Sequence, residues 1–139
     1  MTSMAGMQFH RGRLIDHVQL VVSDFEANRR FYDAVLGVLG VPIVYGENML
    51  FADDLAVTAG EPTTGRCHLA FQAKDPATVD AFHAAGLKAG GRDNGAPGLR
   101  DYHPNYYAAF LLDPAGNNIE AVHHGPATRS AESVVIEAL

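Results

Sequence analysis

Moving the first half of the chain forward by 51 positions lays it over the second half. His17 falls on His68, Asp24 on Asp75, Phe31 on Phe82, Ala34 on Ala85 and Leu36 on Leu87. The order of these matches constrains more than their number. A histidine in an apolar run, an aspartate able to cap a helix, then an aromatic inside that helix recur in the same places. Duplication of one βαβββ unit is the economical source of such a pattern. A chain built this way folds as two copies of one motif.

The local signals agree with that unit. Residues 14–22 are β-branched and apolar and predict a buried strand. Asp24 then opens a helix from Phe25 to about Leu36, with Gly37 and Gly40 expected to end it. Short strands are expected at 41–45, 48–52 and 55–59, with turns at Gly46, Asp53-Asp54 and Gly60. The second copy opens with a strand at 66–73. Asp75-Pro76 follows as a cap with proline at the first helical position, and a helix runs over 78–87. Strands at 106–112 and 117–123 form a hairpin around Asp113-Pro114-Ala115-Gly116. The stretch 94–107 lacks a regular pattern and is expected to be a long loop. Such loops often carry function.

Side chains alternate across a strand. His17 shares a face with Ile15, Gln19 and Val21, His68 with Ala70 and Gln72, and Glu120 with Asn118 and Val122. The opposite faces carry Val18, Leu20 and Val22, or Leu69 and Phe71, and suit packing against a helix. His17, His68 and Glu120 therefore stand on the face away from the helices. Two imidazoles and a carboxylate make a ligand set for a divalent cation that leaves positions open for substrate. Taken singly, each is an ordinary strand residue; their combination across the repeat makes them a candidate site.

Length and composition narrow the remaining classes. The 139 residues predict a single domain with a real core. A formal charge of −6, with 10 Lys and Arg against 16 Asp and Glu, leaves no basic face for nucleic acid. Cys67 is the only cysteine, so no internal disulfide forms. No apolar run approaches the roughly 20 residues of a membrane span, and residues 1–12 do not read as a secretory signal. The expectation is a cytoplasmic protein with an N-terminal arm (1–12), one domain (13–124, in modules 13–62 and 65–124) and a C-terminal tail (125–139).

Three segments resemble a known superfamily. Ile15-Asp16-His17-Val18-Gln19-Leu20-Val21-Val22-Ser23-Asp24, followed by Phe31-Tyr32, is similar to the opening of vicinal oxygen chelate proteins. Cys67-His68-Leu69-Ala70-Phe71 resembles the start of their second module, and Asp113 to Glu120 their closing Asp-Pro-x-Gly-x-x-x-Glu hairpin. The likeness spans about residues 14–123. The superfamily includes glyoxalase I, extradiol dioxygenases, fosfomycin-resistance thiol transferases and bleomycin-resistance proteins. The resemblance implies an α+β fold in which two βαβββ modules form a half-open, eight-stranded mixed β-cup with helices outside. It also implies a divalent metal (zinc, nickel, manganese or iron) on His17, His68 and Glu120, and a homodimer. Glutathione is a candidate co-substrate. The fourth ligand of glyoxalase I has no counterpart in Leu55-Ala56-Val57-Thr58-Ala59-Gly60.

The stretch Arg100-Asp101-Tyr102-His103-Pro104-Asn105-Tyr106-Tyr107 is similar to a run in small glyoxalase-like proteins. Arg100 suits a substrate carboxylate or phosphate. Tyr102 and His103 are candidate acid–base groups, and Gln19 and Tyr106 candidate substrate contacts. The leading expectation is a metal-dependent, lactoylglutathione-lyase-like enzyme acting on a small oxygen-chelating substrate. Two alternatives stand beside it. One is a bleomycin-resistance-like protein that sequesters a small ligand. The other is a small extradiol dioxygenase.

Overall fold

The computed structural model describes residues 8–11, 14–126 and 134–137. In chain order the elements are β1 (Gln8–Arg11), β2 (Val18–Val22), α1 (Phe25–Leu39), β3 (Val44–Gly46), β4 (Met49–Ala52) and β5 (Leu55–Ala59). They continue with β6 (His68–Gln72), α2 (Pro76–Lys88), β7 (Arg92–Arg100), β8 (Tyr106–Leu112), β9 (Asn118–His123) and β10 (Val134–Glu137). Two four-stranded sheets carry the same topology, β2-β5-β4-β3 and β6-β9-β8-β7. In each, the strand before the helix pairs in parallel with the last strand of its module, and the remaining pairs are antiparallel. The fold is the expected pair of βαβββ modules.

Local chemistry sets the boundaries. Asp24 Oδ1 accepts from Ala27 N at 3.1 Å, and Asp75 Oδ1 from Thr78 N at 2.7 Å, so both aspartates cap as expected. Helix α1 runs through Gly37, because Val38 and Leu39 still find core to pack on. It stops at Gly40, whose φ of 75° is left-handed. Two-residue turns join β3 to β4 and β4 to β5, with Asn48 and Asp53 at positive φ. β2 starts at Val18, later than the strand expected over 14–22. Val18 N bonds Asp54 O at 2.7 Å, and β5 begins opposite at Leu55, so no ladder partner remains for residues 14–17.

The expected loop at 94–107 is mostly a strand. β7 pairs with β8 through register shifts between Asp93 and Gly95 and between Gly95 and Gly98. Those irregularities hide the alternation that marks a strand, and they place Pro97 where no ladder donor is needed. Only residues 101–105 form the turn. β1 and β10, from the expected arm and tail, pair antiparallel. The rest of the arm (1–7, 12), residue 13 and part of the tail (127–133, 138–139) lie outside the described residues.

The two helices meet back to back between the sheets. α1 packs on β4 and β5, α2 on β7, β8 and β9, and α1 on α2. One core spans both modules, from Leu20, Phe31 and Val35 to Phe82, Leu111 and Ile119. Gly86 makes the close approach possible: a Cβ there would stand 2.2 Å from Leu111 and 3.1 Å from Val35. Tyr32 of α1 crosses the boundary and donates to buried Asp113 at 2.5 Å. Asp113 also accepts from Ala115 N, Asn117 N and Asn117 Nδ2, which pins the hairpin that leads to Glu120. Each sheet thus turns its other face away from the helices.

Candidate metal centre

That outer face of the second sheet brings two predicted ligands together. β6 and β9 run in parallel with His68 level with Asn118 and Ala70 level with Glu120, so the two side chains are neighbours on one face. His68 Nε2 lies 2.8 Å from Glu120 Oε1. Two donors each about 2.0–2.2 Å from a zinc ion and at about 90° to one another are about 3 Å apart. The observed spacing therefore fits two adjacent ligands of one cation. Glu120 is 2% exposed, so its charge needs partners. Its second oxygen, Oε2, accepts from the phenol of Tyr106. His68 is half open to solvent and packs beside Phe110, ring centroids 6.0 Å apart.

His17 stands on the other sheet, in the residue before β2. Its Nδ1 lies 2.7 Å from Asp16 Oδ1. A carboxylate at Nδ1 fixes the proton there and leaves the Nε2 lone pair for an electrophile, the usual arrangement behind a metal-binding imidazole. His17 lines a recess with Phe51, Asp53, Leu55 and Ala56. Among the described residues, no three His, Cys, Asp or Glu side chains of one chain come close enough to hold one ion. One chain thus pairs His68 with Glu120 and leaves His17 apart. Gln19, on the same face as His17, donates to Thr58 Oγ1 at 2.9 Å.

The remaining candidates cluster at the rim of the second sheet. Arg100 folds back on its own strand: Nη1 donates to Gly98 O at 3.0 Å and Nη2 to Ala96 O at 2.8 Å. Its guanidinium lies 5.3 Å from the centroid of the Phe110 ring. Among the described residues no carboxylate pairs with it, which leaves a positive charge on the face that carries His68 and Glu120. His103 Nδ1 donates to Pro104 O at 2.8 Å, so the neutral ring presents Nε2 as acceptor. His124 Nδ1 supplies the donor at 2.8 Å. Tyr102, His103 and His124 surround the Tyr106 ring at centroid distances of 4.9, 5.2 and 5.3 Å. Burial first, then the hydrogen bond to Glu120, pushes the Tyr106 phenol up to about 12. Tyr106 therefore keeps its proton at neutral pH and serves as a donor, not a base.

Three residues gain weight from the structure. Asp16 and Phe110 touch His17 and His68, and His124 completes the pair with His103. The shared face of His124 and Glu120 was the available signal for the last of these. Asp16 could be found only as the neighbour of a ligand, and Phe110 reads as core. Elsewhere, His83 of α2 pairs with Asp93 of β7 at 2.9 Å. Leu55, Ala56 and Val57 are buried and offer no fourth ligand.

Comparison with known proteins shows what the chain is similar to. Residues 14–121 match the family model described as the Glyoxalase/Bleomycin resistance protein/Dioxygenase superfamily. A glyoxalase/bleomycin resistance protein from Albidiferax ferrireducens is 38% identical, over 77% of this chain and 95% of that one, with a TM-score of 0.68. A lactoylglutathione lyase from Agrobacterium tumefaciens is 22% identical over 76% of this chain and 90% of that one, with a TM-score of 0.56. The fosfomycin resistance protein FosX from Mesorhizobium loti is also 22% identical, over 76% and 87%, with a TM-score of 0.57. The curated proteins include no match. No helix among the described residues is long and apolar enough to cross a membrane.

Proposed function

Because the chain belongs to the glyoxalase/bleomycin resistance protein/dioxygenase superfamily, we propose that it is a metal-dependent, glyoxalase-like enzyme whose centre is built by two copies. His17 of one copy joins His68 and Glu120 of the other around one divalent cation. The observation that carries this reading is the 2.8 Å approach of His68 Nε2 to Glu120 Oε1, with His17 on a separate outward face. A symmetric dimer that sets the first sheet of each copy beside the second sheet of the other closes two equivalent cups. The surface next to His17 supports such a contact: Val44 and Phe51 share its face of the sheet and are 66% and 42% exposed.

The cation, when bound, supplies Lewis acidity toward two adjacent oxygens of a small substrate. The chain's residues do the rest. Asp16 holds the proton on His17 Nδ1, so Nε2 faces the ion. Arg100 receives a substrate carboxylate or phosphate, and Tyr102 and Gln19 face the same space from the two sides of the cup. His103 takes or returns a proton through Nε2 once His124 releases that atom. No fourth protein ligand is present in the matching stretch, so the coordination sphere keeps room for both substrate oxygens. The relevant metal is zinc, nickel, manganese or iron, all of which accept this donor set, and glutathione is a candidate co-substrate.

The test is complementation between broken copies. His17→Ala and His68→Ala each lose divalent-metal binding when purified alone without chelator. Co-refolding equal amounts makes half of the dimers mixed, each with one intact site of two, so about a quarter of the sites return. No return of metal binding in the mixture refutes a shared centre. A dimer that holds no metal yet takes up small ligands supports the bleomycin-resistance-like reading instead. Oxygen uptake with catechols under Fe(II) would place the chain with the dioxygenases.

A further inference from the structure

We propose that Tyr106 is a positioning residue for Glu120, holding one carboxylate oxygen so that only the other is presented to the cation. This rests on Glu120 and His68 being ligands. A free carboxylate on a strand can turn about its last torsion and offer one oxygen or two. Here both oxygens are committed in different directions. Oε1 faces His68, and Oε2 accepts from the Tyr106 phenol. With its Oε2 occupied, Glu120 binds through Oε1 alone, and the coordination sphere keeps one more place for substrate. Partners that orient ligating carboxylates set affinity as well as geometry.

The phenol is itself held in place. Tyr106 sits at the start of β8, level with Arg100 of β7, and its ring is met edge-on by Tyr102, His103 and His124. His103 and His124 are in turn joined to each other, and His103 to the Pro104 carbonyl. The whole turn at 101–105 thus serves as a clamp on one O–H direction. The adjacent tyrosine supplies a built-in control. Tyr107 points to the opposite face and donates to Asp80 of α2 at 2.6 Å. It makes the same kind of bond, phenol to carboxylate, away from the ligands.

Co2+ titration of the full-length chain tests this, with the visible d–d spectrum recorded at saturation. Tyr106→Phe keeps the ring and its three aromatic neighbours and removes only the donor. It is expected to weaken Co2+ binding by about 10–100-fold and to alter the saturated spectrum, because Glu120 then engages through both oxygens. Tyr107→Phe is expected to stay within about threefold of wild type with the same spectrum. An unchanged affinity in Tyr106→Phe overturns the proposal. So does weaker binding with an unchanged spectrum at saturation, which would mark a general effect on the fold. The thermal midpoint of the metal-free variant separates loss of folding from loss of positioning. Wild type that binds no Co2+ refutes the ligand assignment itself, a different failure from a wild type that binds and a Tyr106→Phe variant that binds equally.

Discussion

Replacing Tyr32 by Phe removes one oxygen from the boundary between the modules. Tyr32 is fully buried and Asp113 is 1% exposed, and their bond is 2.5 Å long. The variant leaves the Asp113 carboxylate with three donors: Ala115 N at 2.9 Å, Asn117 N at 2.8 Å and Asn117 Nδ2 at 3.1 Å. The charge stays partly solvated by the hairpin, so the loss is that of one hydrogen bond to an ionised group, about 1.5–3 kcal/mol. Urea unfolding at pH 7 should show this as a lower midpoint with an unchanged slope. Alkaline pH gives a second, signed expectation. Burial, and then the charge of Asp113 and its hydrogen bond, raise the Tyr32 phenol well above its ordinary value. In the unfolded chain Tyr32 loses its proton near pH 10, while the folded chain keeps it. The folded state then binds more protons, and stability falls as pH rises past about 10. At pH 11 the loss from this one group is about 1.4 kcal/mol. The Phe variant lacks it, so the gap between the two proteins narrows by that amount from pH 8 to pH 11. A cost below about 0.5 kcal/mol at pH 7, or a gap that widens with pH, refutes the reasoning.

Gly37→Ala should stabilise the protein by about 0.5–1 kcal/mol, since a Cβ there meets nothing within 4 Å and glycine is costly inside a helix. Gly86→Ala should instead destabilise it by about 1–3 kcal/mol, despite the same gain in helix propensity, because its Cβ collides with Leu111; chemical denaturation reads both. Asp75→Ala should lower the thermal midpoint at pH 7. Hydrogen bonds from the Thr78 hydroxyl and backbone N–H hold the Asp75 carboxyl below its usual range, so this difference should begin to shrink as pH falls through about 4 and vanish only below the lowered folded-state value. Phe51→Asp should leave the fold intact, give a monomer in sedimentation and abolish metal binding; a metal-binding monomer would count against the shared centre.

What the sequence disclosed depended on how local each signal was. Asp24, Asp75 and the Asp113 hairpin act within a few residues of themselves, and all three ended or began elements where expected. The repeat of His17-Asp24-Phe31 in His68-Asp75-Phe82 predicted two βαβββ modules, and the two sheets do share one topology. β7 was not legible: Gly95, Pro97 and Gly98 carry no strand pattern, and the segment is a strand only because β8 lies beside it. The face of each ligand followed from strand alternation, which placed His68 and Glu120 on one surface. Tyr106 on Glu120 depends on the stagger between two strands and a turn, and alternation says nothing of that. Nor does it say which way two sheets face.

That last point decides how the ligand set is distributed. Each module has one helix to cover one sheet, and each helix has a second side that also needs burial. α1 and α2 satisfy each other, with Phe31 and Val35 pressed on the helix surface that Gly86 leaves flat. Once the helices lie between the sheets, the face that carries His17 and the face that carries His68 and Glu120 both point away from them. A chain folded in this way has one half of the donor set on each side of itself. The face around His17 still carries Val44 and Phe51, apolar side chains that water does not reward. In the proposed dimer, a second copy turned so that its His68 and Glu120 meet this face would cover them and supply the donors that one chain lacks there. Under the proposed shared centre, the close helix contact at Gly86, far from His17, His68 and Glu120, is what makes a second copy necessary.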